Sequence, residues 1–314
     1  MKNKYLGTML GLAIGDAFGA PVEFLKRDTF PFIDRYYQGG KFKVSIGEYT
    51  DDTSMTLCLA QSLIECNGMN QKDQLSKYVK WFKEGYMSAT GRSIGCGKQV
   101  YKALFKFMAT GCNECGNSRL KKGAGNGSLM RIAPIPLFYR NIPLINIMKM
   151  AEKSSYTTHG LKICADACRV FSALIIGALN KIDKEELLSK EYFNYICKAD
   201  KNYEYDDLIK EIMEGSYKNK SREEINSSGY VIYTLEAALW SFYHTNSFKE
   251  GLILAVNLGE DTDTIGAVYG QLAGAFYGEE NIDLYLKQNL KNRELIENIA
   301  IKLFELSEKD KDYE

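Results

Sequence analysis

"GTMLGLAIGDAFG", residues 7–19, has glycine at 7, 11, 15 and 19, and "GAVYGQLAGAFYG", residues 266–278, repeats that interval at 266, 270, 274 and 278. Residues four apart share one face of an α-helix, so each run draws a nearly straight stripe bare of side chains. Glycine inside a helix costs roughly 1 kcal/mol against alanine, and four in one helix are tolerable only where another backbone packs into the stripe. The two runs therefore predict two central helices packed unusually close. A membrane dimer is the other setting for such stripes. Here the best candidate span, "YLGTMLGLAIGDAFGAPV" (5–22), is broken by Asp16, and no apolar run approaches the ~20 residues a bilayer requires.

Outward from these stripes, apolar residues recur at three- and four-residue spacing over 53–66, 74–84, 97–109, 162–180, 231–243 and 248–257, which is helical periodicity. Strand-like alternation is confined to a modest "KFKVSI" at 41–46, and Pro134 and Pro136 read as a loop. Residues 181–226 are rich in Lys, Glu, Tyr and Asn; two or three amphipathic helices between polar turns fit them, with "NKSREEINSSG" (219–229) as a loop. "LSEKDKDYE", 306–314, reads as a solvated, frayed end. The expected fold is all-α, one domain over 1–314.

Two acidic clusters stand before apolar helical runs. "EYTDDTSMTL" (48–57) sets Thr50, Asp51 and Asp52 before one apolar run, and "NLGEDTDTIGAVYG" (257–270) sets Asp261, Thr262, Asp263 and Thr264 before the second stripe. Helix capping needs one such side chain; two acids and a hydroxyl at each start exceed it. If the two starts meet, four carboxylates converge, raising one another's pKa unless cations balance them. Two divalent ions would match four negative charges. An all-oxygen donor set selects hard ions, Mg²⁺ or Mn²⁺, over zinc. Such a pair orients vicinal hydroxyls and polarises a water.

Between the clusters, "KKGAGNGSLMR" (121–131) is a glycine-rich loop read as opening a helix, whose N–H groups suit a pyrophosphate or ribose. "GCGKQ" (95–99) fails as a phosphate-binding Walker loop, because Gln99 stands where Ser or Thr is required. No strand followed by GxGxxG supports a dinucleotide fold. The chain has two histidines. His159, in a turn before a helix, is placed to meet a ligand, and His244 reads as a helix-end residue. Glu23 follows a helix end and Pro21; it is either a surface acid or an acid–base group on a mobile loop.

The totals bound the partners. With 40 basic and 40 acidic residues the formal charge is zero, so no field favours nucleic acid or an anionic membrane. Eight scattered cysteines and a start without a signal or transit pattern lead to an expectation of reduced thiols and a cytoplasmic location. Cys112 and Cys115 have zinc-ligand spacing, but no second pair completes a site, and the expectation is a loop with two free thiols.

Taken in order, "GLAIGDAFGAPVEF", "YTDDTSMTLCLAQSL", "GAGNGSLMRIAPI", "TTHG" and "AVNLGEDTDTIGAVYGQLAGAFYG" resemble the ADP-ribosylglycohydrolase family, over about residues 5–280 with a gap at 181–226. The resemblance implies a compact single-domain orthogonal helical bundle with a two-metal cleft holding two Mg²⁺ or Mn²⁺. It implies Thr50, Asp51, Asp52, Asp261, Asp263 and Thr264 as metal ligands. Asn126, Gly127 and Ser128 would hold ribose and phosphate, and His159 the nucleotide portion. Glu23 matches a flap glutamate, and Glu23 or Asp261 would manage the proton. Arginine-directed members often carry an FDIG-like stretch where "GRSIGCG" (91–97) stands, and Gly95 occupies the place of its aspartate.

The implied reaction is hydrolysis of the glycosidic bond between ADP-ribose and a modified protein side chain or small conjugate, releasing ADP-ribose, with an oxocarbenium-like transition state. A nucleic-acid end is a further possible acceptor. The competing readings are a non-catalytic ADP-ribose binder or crystallin-like structural protein, and a two-metal phosphoester hydrolase.

Overall fold

The computed structural model describes residues 1–117 and 124–309. In the first half, α1 spans Lys2–Gly19, α2 Asp51–Cys66, α3 Gln71–Glu84, α4 Lys98–Thr110, α5 Pro134–Phe138 and α6 Leu144–Tyr156. Then follow α7 (Lys162–Leu179), α8 (Lys184–Leu187), α9 (Lys190–Ala199), α10 (Asp207–Met213) and α11 (Val231–Tyr243). The chain closes with α12 (Phe248–Val256), α13 (Thr262–Tyr277), α14 (Leu284–Gln288) and α15 (Arg293–Ser307). Among the described residues there is no strand, and the helices form one compact all-α domain.

The two glycine stripes face each other. A methyl placed on Gly7, Gly11 or Gly15 would lie 2.4, 2.3 or 2.0 Å from the carbonyl oxygens of Gly274, Gly270 and Gly266 respectively. As one number rises the other falls, so α1 and α13 run antiparallel, backbone against backbone. Both are buried along nearly their whole length. This pairing sets the C-terminal end of α1 beside the N-terminal end of α13, where the Thr262 hydroxyl donates to the Gly19 carbonyl at 2.8 Å. The N-terminus of α2 arrives at the same place.

Sequence and structure part company in several places. "KFKVSI" forms no strand; Gly39 and Val44 make an isolated antiparallel bridge that closes a turn. Pro134 and Pro136 lie in α5 rather than in a loop, with Pro134 at its first position, where its missing N–H goes unneeded and its fixed φ suits the helix. At the C-terminal end, Leu306 and Ser307 are buried in α15, and Ser307 accepts a 2.9 Å bond from the Tyr5 hydroxyl, so the frayed end does not begin at 306. Residues 310–314 lie outside the described residues.

Region 181–226 holds the expected short helices, fastened by Arg169, which bonds Glu152 at 2.6 Å and Asp200 at 2.7 Å. No helix among the described residues is long and apolar enough to cross a membrane.

Candidate active site

The N-cap residues of α2 and α13 are Thr50 and Asp261, and neither side chain caps its own helix. The cap of α2 comes from another element. Asp16, in the last turn of α1, accepts from the Thr50 and Thr53 amides, each at 2.9 Å, and from their hydroxyls at 2.9 and 2.7 Å. One fully buried carboxylate thus satisfies the start of α2 and frees Thr50, Asp51 and Asp52 from that duty. Asp16 was legible in the sequence only as a break in an apolar run; a lone acid inside a glycine-striped helix was the available signal.

The two helix starts meet. Thr50 Oγ1 lies 3.4 Å from Asp263 Oδ2, and Thr264 Oγ1 lies 3.4 Å from Asp52 Oδ2. Glu23, Asp261 and Asp263 each bring a carboxylate oxygen to within 4.8 Å of the others. Glu23 is neither a surface acid nor on a free loop: only 8% of it is exposed, and the amide of Phe24 donates to the Glu260 carbonyl at 2.6 Å. Glu23, Asp51, Asp52, Asp261, Asp263 and Thr264 line one wall of a cavity of about 560 Å³, and Thr50 meets that wall through its contact with Asp263. A second hollow of the same size, beside Met69, Lys72 and Lys153, has no acidic side chain among the described residues that line it.

This much buried negative charge is unfavourable without cations. Burial and then the Asp263 charge hold the Asp51 and Asp52 carboxyls well above their usual range, and burial and then Asp261 do the same to Asp263. Burial with the charges of Asp263, Asp51 and Asp261 raises Glu23. Asp261 is raised to about 6 by burial, tempered by the Asn126 amide. Asp52 Oδ1 and Glu23 Oε2 are buried without a hydrogen-bond partner. Orphaned carboxylate oxygens facing one cavity, gathered with threonine hydroxyls at the two helix starts, fit hard divalent cations, while Cys96 and His159 line the same cavity from other segments.

The opposite wall is the loop that runs on from Ala124. Lys121, Lys122 and Gly123 of "KKGAGNGSLMR" lie outside the described residues, and from Ala124 the loop runs through turns rather than opening a helix directly. Gly125, Asn126, Gly127 and His159 line the cavity. The Asn126 side-chain amide donates to Asp261 Oδ2 at 2.5 Å and to Thr234 Oγ1 at 2.8 Å, which couples this loop to the acidic wall. Ser128 is not brought to the cleft: its hydroxyl accepts from Ser155 Oγ at 2.9 Å in the core. His159 is 3% exposed, and burial followed by the Arg131 charge lowers its pKa to about 3. Its Nδ1 lies 2.9 Å from Thr158 Oγ1, which accepts from Arg131 at 2.6 Å. His244, as read, ends α11 away from the cleft.

Cys112 and Cys115 correct the expectation of reduced thiols: they are joined as a disulfide, the other six cysteines being free. The turn brings their Cα atoms to 5.8 Å, within bridging range. Cys115 and Gly116 donate their amides to the Thr157 and Tyr156 carbonyls, both at 3.2 Å, so the bridged turn braces the end of α6 and the turn that leads to His159.

Gly95 also lines the cavity, at φ +86°, and a Cβ there would fall 2.3 Å from Asp51 Oδ1. The aspartate that the resemblance places here has no room while Asp51 keeps its position.

Comparison with known proteins matches residues 1–313 to the model of the ADP-ribosylglycohydrolase family. The chain is 36% identical over 302 residues to the ADP-ribosylarginine hydrolase Tri1 of Serratia proteamaculans, covering 96% of this chain and 79% of that one. It is 29% identical over 288 residues to the ADP-ribosyl-[dinitrogen reductase] glycohydrolase of Rhodospirillum rubrum, covering 89% and 87%. A solved structure titled "ADP-ribosylglycohydrolase-related protein complex" superposes with a TM-score of 0.84 at 40% identity, over 98% of both chains.

Proposed function

We propose a mechanism for this chain, which belongs to the ADP-ribosylglycohydrolase family and is an ADP-ribosyl glycohydrolase. Its substrate in this reading is an ADP-ribosylated protein side chain or a small ADP-ribosyl conjugate, and ADP-ribose is the product. Thr50, Asp51, Asp52, Asp261, Asp263 and Thr264 would hold two Mg²⁺ or Mn²⁺. Bound there, the ions supply positive charge to the ribose hydroxyls and to the attacking water.

The protein's own groups divide the remaining work. Asn126 and Gly127 face the cavity and grip the ribose and phosphate. Thr158 accepts from Arg131 and donates its hydroxyl hydrogen bond to His159 Nδ1, which sets the neutral imidazole with its one proton on Nε2. His159 is thus a donor to the nucleotide portion without adding charge. Glu23 or Asp261 would manage the proton at the glycosidic bond in this reading, supported by their carboxylate oxygens lying within 4.8 Å of each other at the cavity. Holding the sugar between the two walls lowers the barrier by orientation.

The observation that carries the reading is the pair of buried, unpartnered carboxylate oxygens on Asp52 and Glu23 at one cleft. The name of the Serratia relative supports an arginine linkage, so ADP-ribosylarginine heads the test panel, followed by ADP-ribosylserine and acidic-residue conjugates. ADP-ribose release from one of them, lost with EDTA and restored by Mg²⁺ or Mn²⁺, is the expected result. No release from any of them with either ion present, or release indifferent to EDTA, would overturn the proposal.

A further inference from the structure

Residues 23–28 and 257–260 lie against each other at the edge of the cleft. Besides the bond from the Phe24 amide to Glu260, the Glu260 amide donates to the Leu25 carbonyl at 2.7 Å. Phe24 and Glu260 both have left-handed backbones, at φ 68° and 61°. Neither is glycine, so both conformations are strained and persist only where surrounding contacts impose them. Each is the direct chain neighbour of a proton-handling candidate: Glu23 precedes Phe24, and Asp261 follows Glu260.

Arg27 supplies three of the contacts that impose this arrangement, beside one from Arg222 to the Asn257 carbonyl at 2.7 Å. Arg27 Nε donates to the Leu258 carbonyl at 2.8 Å, and its two terminal nitrogens donate to the carbonyls of Arg222 and Ile225. A planar guanidinium reaches three carbonyls in one setting, which an ammonium cannot reproduce. The nearby acid Asp28 is engaged by Arg222 instead, at 2.9 and 2.6 Å. Arg27 therefore serves as a clamp on main-chain oxygens, and it donates to none of the clustered carboxylates.

We infer that Arg27 is a positioning residue of the active site: its guanidinium fixes the loop carrying Glu23 against the loop carrying Asp261. The inference rests on the roles given to Glu23 and Asp261 above. It extends them by naming what keeps the two carboxyl groups at working separation.

The test compares Arg27→Ala, Arg27→Lys and, as a control, Asp28→Asn, which breaks the neighbouring surface ion pair and leaves the clamp. Hydrogen exchange at the Phe24 and Glu260 amides reads the clamp directly. It should accelerate in both Arg27 variants and stay at the wild-type rate in D28N. Calorimetric Mn²⁺ titration should show affinity weakened about 10- to 100-fold, and kcat should fall by a similar factor with KM little changed, as for outer partners of a metal site. Added guanidinium salt should restore part of the kcat of Arg27→Ala. If that variant fails to fold, Arg27→Lys carries the test alone. Wild-type exchange and wild-type kcat in the Arg27 variants would overturn the clamp. Full activity in Glu23→Gln would instead overturn the role of Glu23, and the exchange result would still decide the clamp.

Discussion

A methyl group on Gly15 would sit 2.0 Å from the carbonyl oxygen of Gly266, and one on Gly266 would sit 2.4 Å from that of Gly15. The obstacle is backbone on both sides and cannot rotate away. Gly15→Ala gains roughly 1 kcal/mol of helix propensity. Overpacking costs typically 1–3 kcal/mol and more where nothing can yield, so the net expectation is a loss of about 2 kcal/mol or more, measured as a lower urea midpoint. A midpoint at or above wild type would mean that the helices are not seated as described.

Asp263→Asn separates chemistry from stability. Asp263 faces Glu23, Asp261 and Thr50, and removing its charge relieves repulsion in the cation-free protein. Melting without metal should therefore occur at a higher temperature than in wild type. Mn²⁺ uptake should weaken, and ADP-ribose release should fall by about 10³-fold, the scale of a lost transition-state electrostatic contact. Turnover retained in this variant would count against the scheme.

Asp16→Asn probes the borrowed cap. Both Asp16 oxygens accept from N–H and O–H donors, and an amide would turn its own NH₂ toward some of them. Each buried donor left unpaired costs about 1–3 kcal/mol. The start of α2 should loosen, and metal affinity should drop about 10- to 100-fold. Calorimetry on the folded variant checks the second effect apart from the first.

Stability of the cation-free protein should fall as pH rises. Burial and mutual repulsion raise the Asp51, Asp52 and Asp263 carboxyls well above 3.8, and burial holds Asp16 and Asp261 at about 6. The folded chain then keeps protons that the unfolded chain releases above 3.8, and this advantage is lost as pH climbs through the folded values. His159 acts in the opposite sense: lowered from 6.5 to about 3, it weakens the fold as pH falls through that interval. Above pH 6.5 the carboxylates act without it. In EDTA the melting temperature should decline between pH 6.5 and 8, and saturating Mg²⁺ or Mn²⁺ should remove most of that decline. A flat profile in EDTA would contradict the buried cluster.

Much of this was legible in the residues. The four-residue glycine interval specified which helices pair and which faces meet, and two acids at each helix start exceeded what capping requires. The helical spacing of Ile296, Ile299, Ala300, Leu303 and Leu306 is equally plain, and the charged residues that follow it mask where the helix ends. Asp16 escaped because its partners, Thr50 and Thr53, belong to another helix; a cap supplied from afar leaves no local pattern. Ser128 was misplaced for a related reason, since a loop motif names which residues are near a ligand but not which way each hydroxyl turns. The disulfide depended on a turn geometry that spacing alone does not specify.

The antiparallel seat of α1 on α13 also governs how the molecule is made. During translation the first helix leaves the ribosome with its bare ridge open to water, and its mate is not complete until Tyr277 has been added. Asp261 and Asp263 arrive with that mate. A chain that stops short of α13 therefore has neither a closed centre nor Asp261 and Asp263, and activity requires translation past Tyr277.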